Sequence, residues 1–153
     1  MSYTQLYYHI VFGSKSSEPV IVKKYKNDLY NYIWGIIKNQ GGTLLRIGGA
    51  ENHVHIFTSI PSTVAVSNFV QSIKGMSSKW LQNEPENRKK FPFFHGWAEG
   101  YCALTYSYRD RELISNYIKN QEEHHKRESW REEFIRLLKE FNIQYDERYL
   151  PPY

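Results

Sequence analysis

One cysteine, Cys102, and two methionines are all the sulfur in these 153 residues. A lone thiol excludes a disulfide framework and a zinc site built from cysteines, and it fits a reducing, cytoplasmic setting. No apolar run approaches the ~20 residues of a membrane-spanning helix. No signal peptide is read ahead of the first strand, and there is no repeat or low-complexity tract. Nor does one charge dominate: the formal net charge is +4. Such a balance tolerates a polyanion without requiring one, so nucleic acid is the first partner to consider. Tyrosine is abundant, with 13 copies. Its flat ring and polar hydroxyl serve sheet cores, wet interfaces and base stacking alike.

The length predicts one domain over 1–153, with 128–153 as a C-terminal helix and tail. Residues 3–12 read as a strand, with Leu6, Tyr8, Ile10 and Phe12 on one face and His9 on the other. A helix follows over 21–39, burying Leu29, Ile33, Ile36 and Ile37, and Gly41-Gly42 ends it. Strands are expected over 43–48 and 53–60, joined by a turn at Gly48–Asn52 and stopped by Pro61. Ser62 or Thr63 is the candidate cap of a helix over 63–82, with Val66, Phe69, Val70, Ile73 and Met76 at helical spacing. A polar loop over 83–92 and a fourth strand over 98–107 come next. Two further helices, 110–127 and 130–141, close the chain, the second with an apolar stripe of Trp130, Phe134, Leu137, Leu138 and Phe141. The order β-α-β-β-α-β predicts an α+β, ferredoxin-like (RRM-like) antiparallel sheet with additional C-terminal helices. Two helices would cover one sheet face and leave the other exposed.

On the strand that begins at His53, side chains alternate, so His53 and His55 share one face while Val54 and Ile56 enter the core. Tyr117 and Gln121 lie four apart, one turn along a helix face. Were that face to meet the histidine pair, two imidazoles and an amide oxygen could hold a divalent ion. Nitrogen and oxygen donors without thiolate suit Mg²⁺ or Mn²⁺, with Zn²⁺ a further candidate. Tyr117 beside the ion could attack an electrophile such as a phosphodiester, giving a covalent phosphotyrosine. Spacing alone leaves the packing and surface roles of all four residues open.

The motifs His53-Val54-His55 and Tyr117-Ile118-Lys119-Asn120-Gln121 together resemble the IS200/IS605-family single-tyrosine transposases, including their relatives associated with repetitive extragenic palindromes. Ile73-Lys74-Gly75-Met76-Ser77-Ser78, Gly96-Trp97-Ala98-Glu99-Gly100-Tyr101 and the opening Tyr8–Phe12 stand where that family has similar sequence. The later Gln121–Lys126 and Tyr145–Tyr149 are similar to a bacterial subgroup. The resemblance implies His53, His55 and Gln121 as metal ligands and Tyr117 as nucleophile. It implies a tyrosine HUH endonuclease and strand transferase, cutting hairpin-bearing single-stranded DNA through a 5′-phosphotyrosine and a free 3′-hydroxyl. A homodimer, with active sites completed across subunits in several members, and a bacterial cytoplasmic, nucleoid-associated location are also implied. Ala98 and Cys102-Ala103-Leu104 depart from common family residues without removing a ligand or the nucleophile.

Lys74, Lys79, Arg88, Lys89 and Lys90 form the best candidate basic patch for hairpin phosphates, with Arg109 and Arg111 as further candidate DNA contacts. His9 falls on the face of the histidine pair; His125 is a candidate for a supporting or DNA role, and His124 for a solvated helix end. Arg127 and Arg131 stand among acids and read as surface pairs. The competing function is a catalytically silent or host-adapted DNA-hairpin binder of the same fold. An RNA-binding sheet module lacks the aromatic signature on its central strands.

Overall fold

Alternation along two neighbouring strands divides the molecule. In the computed structural model, which describes residues 2–153, β1 (Tyr7–Gly13) pairs antiparallel with β3 (His53–Ser59) on one side and β4 (Cys102–Tyr106) on the other. β2 (Leu44–Ala50) pairs antiparallel with β3, giving the order β2-β3-β1-β4. This is the ferredoxin-like arrangement expected from the order of elements.

Ile10, Phe12, Val54 and Ile56 point to one face, where α1 (Lys26–Asn39) and α2 (Val66–Asn83) bring Leu29, Ile33, Ile37, Phe69 and Ile73. Each such side chain, fully buried, contributes roughly 1.5–3 kcal/mol. Gly41, at φ +85°, reverses the chain after α1 as its glycine pair predicts.

The opposite face is not exposed. α4 (Arg111–Lys119), α5 (Gln121–His124) and α6 (Trp130–Glu140) cover it. Val11, Cys102 and Leu104 meet Trp130, Leu137 and Leu138, while Phe57 meets Ile114 and Ile118. The apolar stripe of α6 had to be buried, and the chain's own sheet buries it. Leu150 of the aperiodic tail joins the same cluster.

Local departures have local causes. α2 starts at Val66 with Ala65 as its cap, so neither Ser62 nor Thr63 caps it, and Met76 is exposed. The polar loop contains a short helix, α3 (Pro85–Lys90), begun by a proline in its first turn. The expected helix over 110–127 divides at Asn120, whose φ of −94° and ψ of 18° separate α4 from α5. On β2, Gly48 stands opposite His55. α4 comes so close there that a β-carbon would lie 2.9 Å from both Cγ2 and the carbonyl oxygen of Ile118. No helix among the described residues is long and apolar enough to cross a membrane.

Candidate metal and nucleophile site

The site lies between the polar sheet face and the C-terminal helices. His53 and His55 are fully buried on β3. His53 Nδ1 is 2.8 Å from Asn52 Oδ1, and the Asn52 amide nitrogen donates to the Ser17 carbonyl at 3.3 Å. That second contact fixes the amide, so Nδ1 of His53 carries the proton and Nε2 the lone pair. Burial, above all, lowers the His53 pKa to about 4, so the ring is neutral near pH 7. Its Nε2 lone pair faces two more acceptors, Gln121 Oε1 at 3.1 Å and Glu133 Oε1 at 3.2 Å. An acceptor among acceptors is what a cation relieves.

Other groups converge on the same oxygens. His55 Nε2 is 3.1 Å from Glu133 Oε1, and its Nδ1 is 2.7 Å from His9 Nε2. His125 Nε2 lies 3.1 Å from Gln121 Oε1 and 3.2 Å from Glu133 Oε1. Donor atoms of His53, His125 and Glu133 all fall within 4.8 Å of one another, a cluster able to coordinate a divalent metal. Burial pushes the Glu133 carboxyl up, but the surrounding histidines outweigh it and hold the group well below the usual carboxylate range.

The Tyr117 hydroxyl donates to Glu133 Oε2 and accepts from Arg136 Nη2 at 2.7 Å. Gln121 Nε2 donates to the same carboxylate oxygen at 2.9 Å. Burial and the Glu133 charge raise the Tyr117 pKa above that of an ordinary phenol. Its ring centroid is 5.8 Å from that of His55, within one chain.

The four residues singled out in the sequence, His53, His55, Tyr117 and Gln121, therefore meet. Glu133 and Arg136 were missed, although a signal existed. Glu133 sits among Trp130, Phe134 and Leu137 on the buried side of α6, where a lone carboxylate needs partners. The basic candidates do not gather here. Lys79 and Arg88 are exposed in the α2–α3 layer, across the sheet; Lys89 faces Glu86 at 3.7 Å and Lys90 pairs with Asp28 at 3.0 Å. Lys74 donates to the carbonyls of Ala98 and Gly100 at 2.7 and 2.8 Å. Arg109 is exposed, and Arg111 stacks on Tyr108 at 3.9 Å.

A family model described as "Transposase IS200 like" matches residues 2–121. The chain belongs to this family. It is 28% identical over 118 residues to the ISDra2 transposase TnpA of Deinococcus radiodurans, covering 76% of this chain and 84% of that one. The transposase of insertion element IS200 from Salmonella typhimurium is 27% identical over 120 residues, covering 78% of each. Among solved structures, one assigned as a transposase from Deinococcus radiodurans aligns with a TM-score of 0.60 at 24% identity, over 79% of this chain and 95% of that one. The REP-associated tyrosine transposase bound to a REP hairpin aligns with a TM-score of 0.55 at 13% identity, over 82% and 74%. These two likenesses concern the fold. Family membership and the His-His-Glu cluster make this an enzyme of the metal-dependent HUH nuclease and transposase class. The family match ends at Gln121, before Glu133 and Arg136.

Proposed function

We propose that the chain cuts and rejoins single-stranded DNA beside a hairpin, with Tyr117 as nucleophile and a 5′-phosphotyrosine as intermediate. His53, His55 and Gln121, joined by Glu133 and His125, would hold Mg²⁺ or Mn²⁺; the amide and carboxylate oxygens suit either ion, and the imidazoles favour the transition metal Mn²⁺. When bound, the ion supplies Lewis-acid polarisation of a nonbridging phosphate oxygen. One observation carries the reading: the Tyr117 hydroxyl and the imidazoles of His53, His55 and His125 all converge on a single buried carboxylate, Glu133. His9 fixes the ring of His55, and Asn52 fixes that of His53. Exposed Lys79, Arg88 and Arg109 remain candidates for hairpin phosphates. A homodimer belongs to this reading, and the contacts of Tyr117 need no residue from the second copy.

One observation favours the alternative, a hairpin binder without chemistry. His53 and His55 are fully buried and Gln121 is 1% exposed, so DNA meets them only after the covering helices shift. The deciding experiment incubates the protein with hairpin-bearing single-stranded DNA from its own genomic flanks and Mg²⁺ or Mn²⁺. A denaturant-resistant adduct mapped to Tyr117, lost on chelation and in Tyr117→Phe, is expected. Cleavage by Tyr117→Phe would refute the nucleophile, and tight binding without an adduct would favour the silent binder.

A further inference from the structure

Arg136 is the second group on the Tyr117 oxygen, and its position is held from behind. Nε and Nη2 fork onto Glu128 at 2.9 and 3.0 Å, and Nη1 donates to Glu140 at 3.1 Å. With the Nη2 contact to Tyr117 at 2.7 Å, four of the five N–H groups are assigned. One Nη1–H has no acceptor among the described residues and is available to a phosphate oxygen. The fork fixes the plane of the guanidinium, which the point charge of a lysine could not reproduce. At 35% side-chain exposure Arg136 reaches solvent, whereas Glu133 beside it does not.

A phenolic oxygen has one proton and two lone pairs. Here the proton faces Glu133 and one lone pair faces Arg136. The other lone pair is left for phosphorus.

We propose that Arg136 is a further catalytic residue of strand transfer: it aims the Tyr117 oxygen during cleavage and compensates the negative charge on that oxygen when it departs during joining. The assignment rests on Tyr117 being the nucleophile. In cleavage the Oη–P bond forms and the P–O3′ bond breaks. The phenolic proton, directed at Glu133 in the resting site, is released to water, and the departing O3′ takes a proton from water. In joining, an incoming 3′-hydroxyl gives its proton to water and attacks phosphorus. The electron pair of the P–Oη bond returns to Oη beside Arg136, and a proton from water restores the phenol.

A merely structural Arg136 would tie α6 to α4 and support the metal site indirectly. Single-turnover rates of adduct formation and joining, at saturating hairpin-bearing DNA, separate the two roles when Mn²⁺ affinity and melting temperature are measured alongside. Arg136→Gln is expected to slow both steps by about 10²-fold, the usual loss of one preorganised donor, while DNA and Mn²⁺ affinities stay within about threefold of wild type. Arg136→Lys keeps the charge but not the fork and is expected to recover only about tenfold. Rates near wild type, or Mn²⁺ affinity falling in step with the rates, would overturn the proposal. If Arg136→Gln does not fold, Arg136→Lys decides: full rates refute the role, and slow rates with intact affinities support it. Absence of any adduct from the wild-type protein would instead fail the parent reading, and this assignment with it.

Discussion

The two faces of the sheet are equally dry, but only one carries buried histidines and a carboxylate among its apolar side chains. Ile10, Val54 and Ile56 are 0% exposed; His53 and His55, their neighbours along the chain or across it, are also 0% exposed. On the first face burial is itself the stabilising event. On the second, each buried polar group must be compensated by a partner, one at a time. The compensation is incomplete, since His9 Nδ1 has no hydrogen-bond partner among the described residues. Apolar burial on both faces supplies stability that the polar cluster draws on to hold its donors together.

The contrast is easiest to break from the apolar side. Phe69, 0% exposed beneath α2, is expected to cost about 3–5 kcal/mol when replaced by alanine. Urea denaturation measures the loss, and a loss under about 1 kcal/mol would mean that this face is not the main source of stability.

A medium effect should come from protons, and only from the polar face. The folded pKa of His53, about 4, lies below its ordinary 6.5, chiefly through burial. Above pH 6.5 both folded and unfolded forms are neutral, so the full stability is present. As pH falls from 6.5 towards 4, the unfolded chain takes up a proton that the folded chain refuses, and stability is lost. The loss is on the order of a few kcal/mol. Depression of the Glu133 carboxyl acts in the same direction below its ordinary 4.5. Denaturation curves across this range should steepen their dependence on pH in wild type and flatten in His53→Gln. A wild-type curve without slope would contradict a neutral buried His53.

The smallest effect concerns the lid of the polar face. Ser129 and Glu132 form a reciprocal capping box on α6, with contacts of 3.1 and 3.3 Å. Ser129→Ala should cost about 1 kcal/mol. Faster hydrogen exchange confined to α6, with α1 and α2 unchanged, would show that the two faces loosen independently; uniform exchange would show that they do not.

Much of this architecture was legible because alternation and helical spacing report burial directly. His53 and His55 could be assigned to one face from period two alone, and the apolar stripe of α6 was visible before its partner was. What it covered was not, because periodicity names a buried face without naming the surface that buries it. For the same reason Glu133 went unread: its role depends on a sheet about 80 residues earlier in the chain. Asn120 carries no glycine or proline to announce the break between α4 and α5. The tyrosine and glutamine motifs were recognised through family resemblance, which in the sequence runs on to Tyr149, whereas the family model matches only as far as Gln121.

Gly48 acts as a missing shim. Because nothing projects from β2 opposite His55, the helix that carries Tyr117 seats directly on the strand, with Ile118 in the vacant space. The reach of the hydroxyl towards the histidines is thus calibrated by an atom that is not there. Even a methyl group at this position would lift the helix from beneath and detune the nucleophile while leaving every chemically active side chain intact.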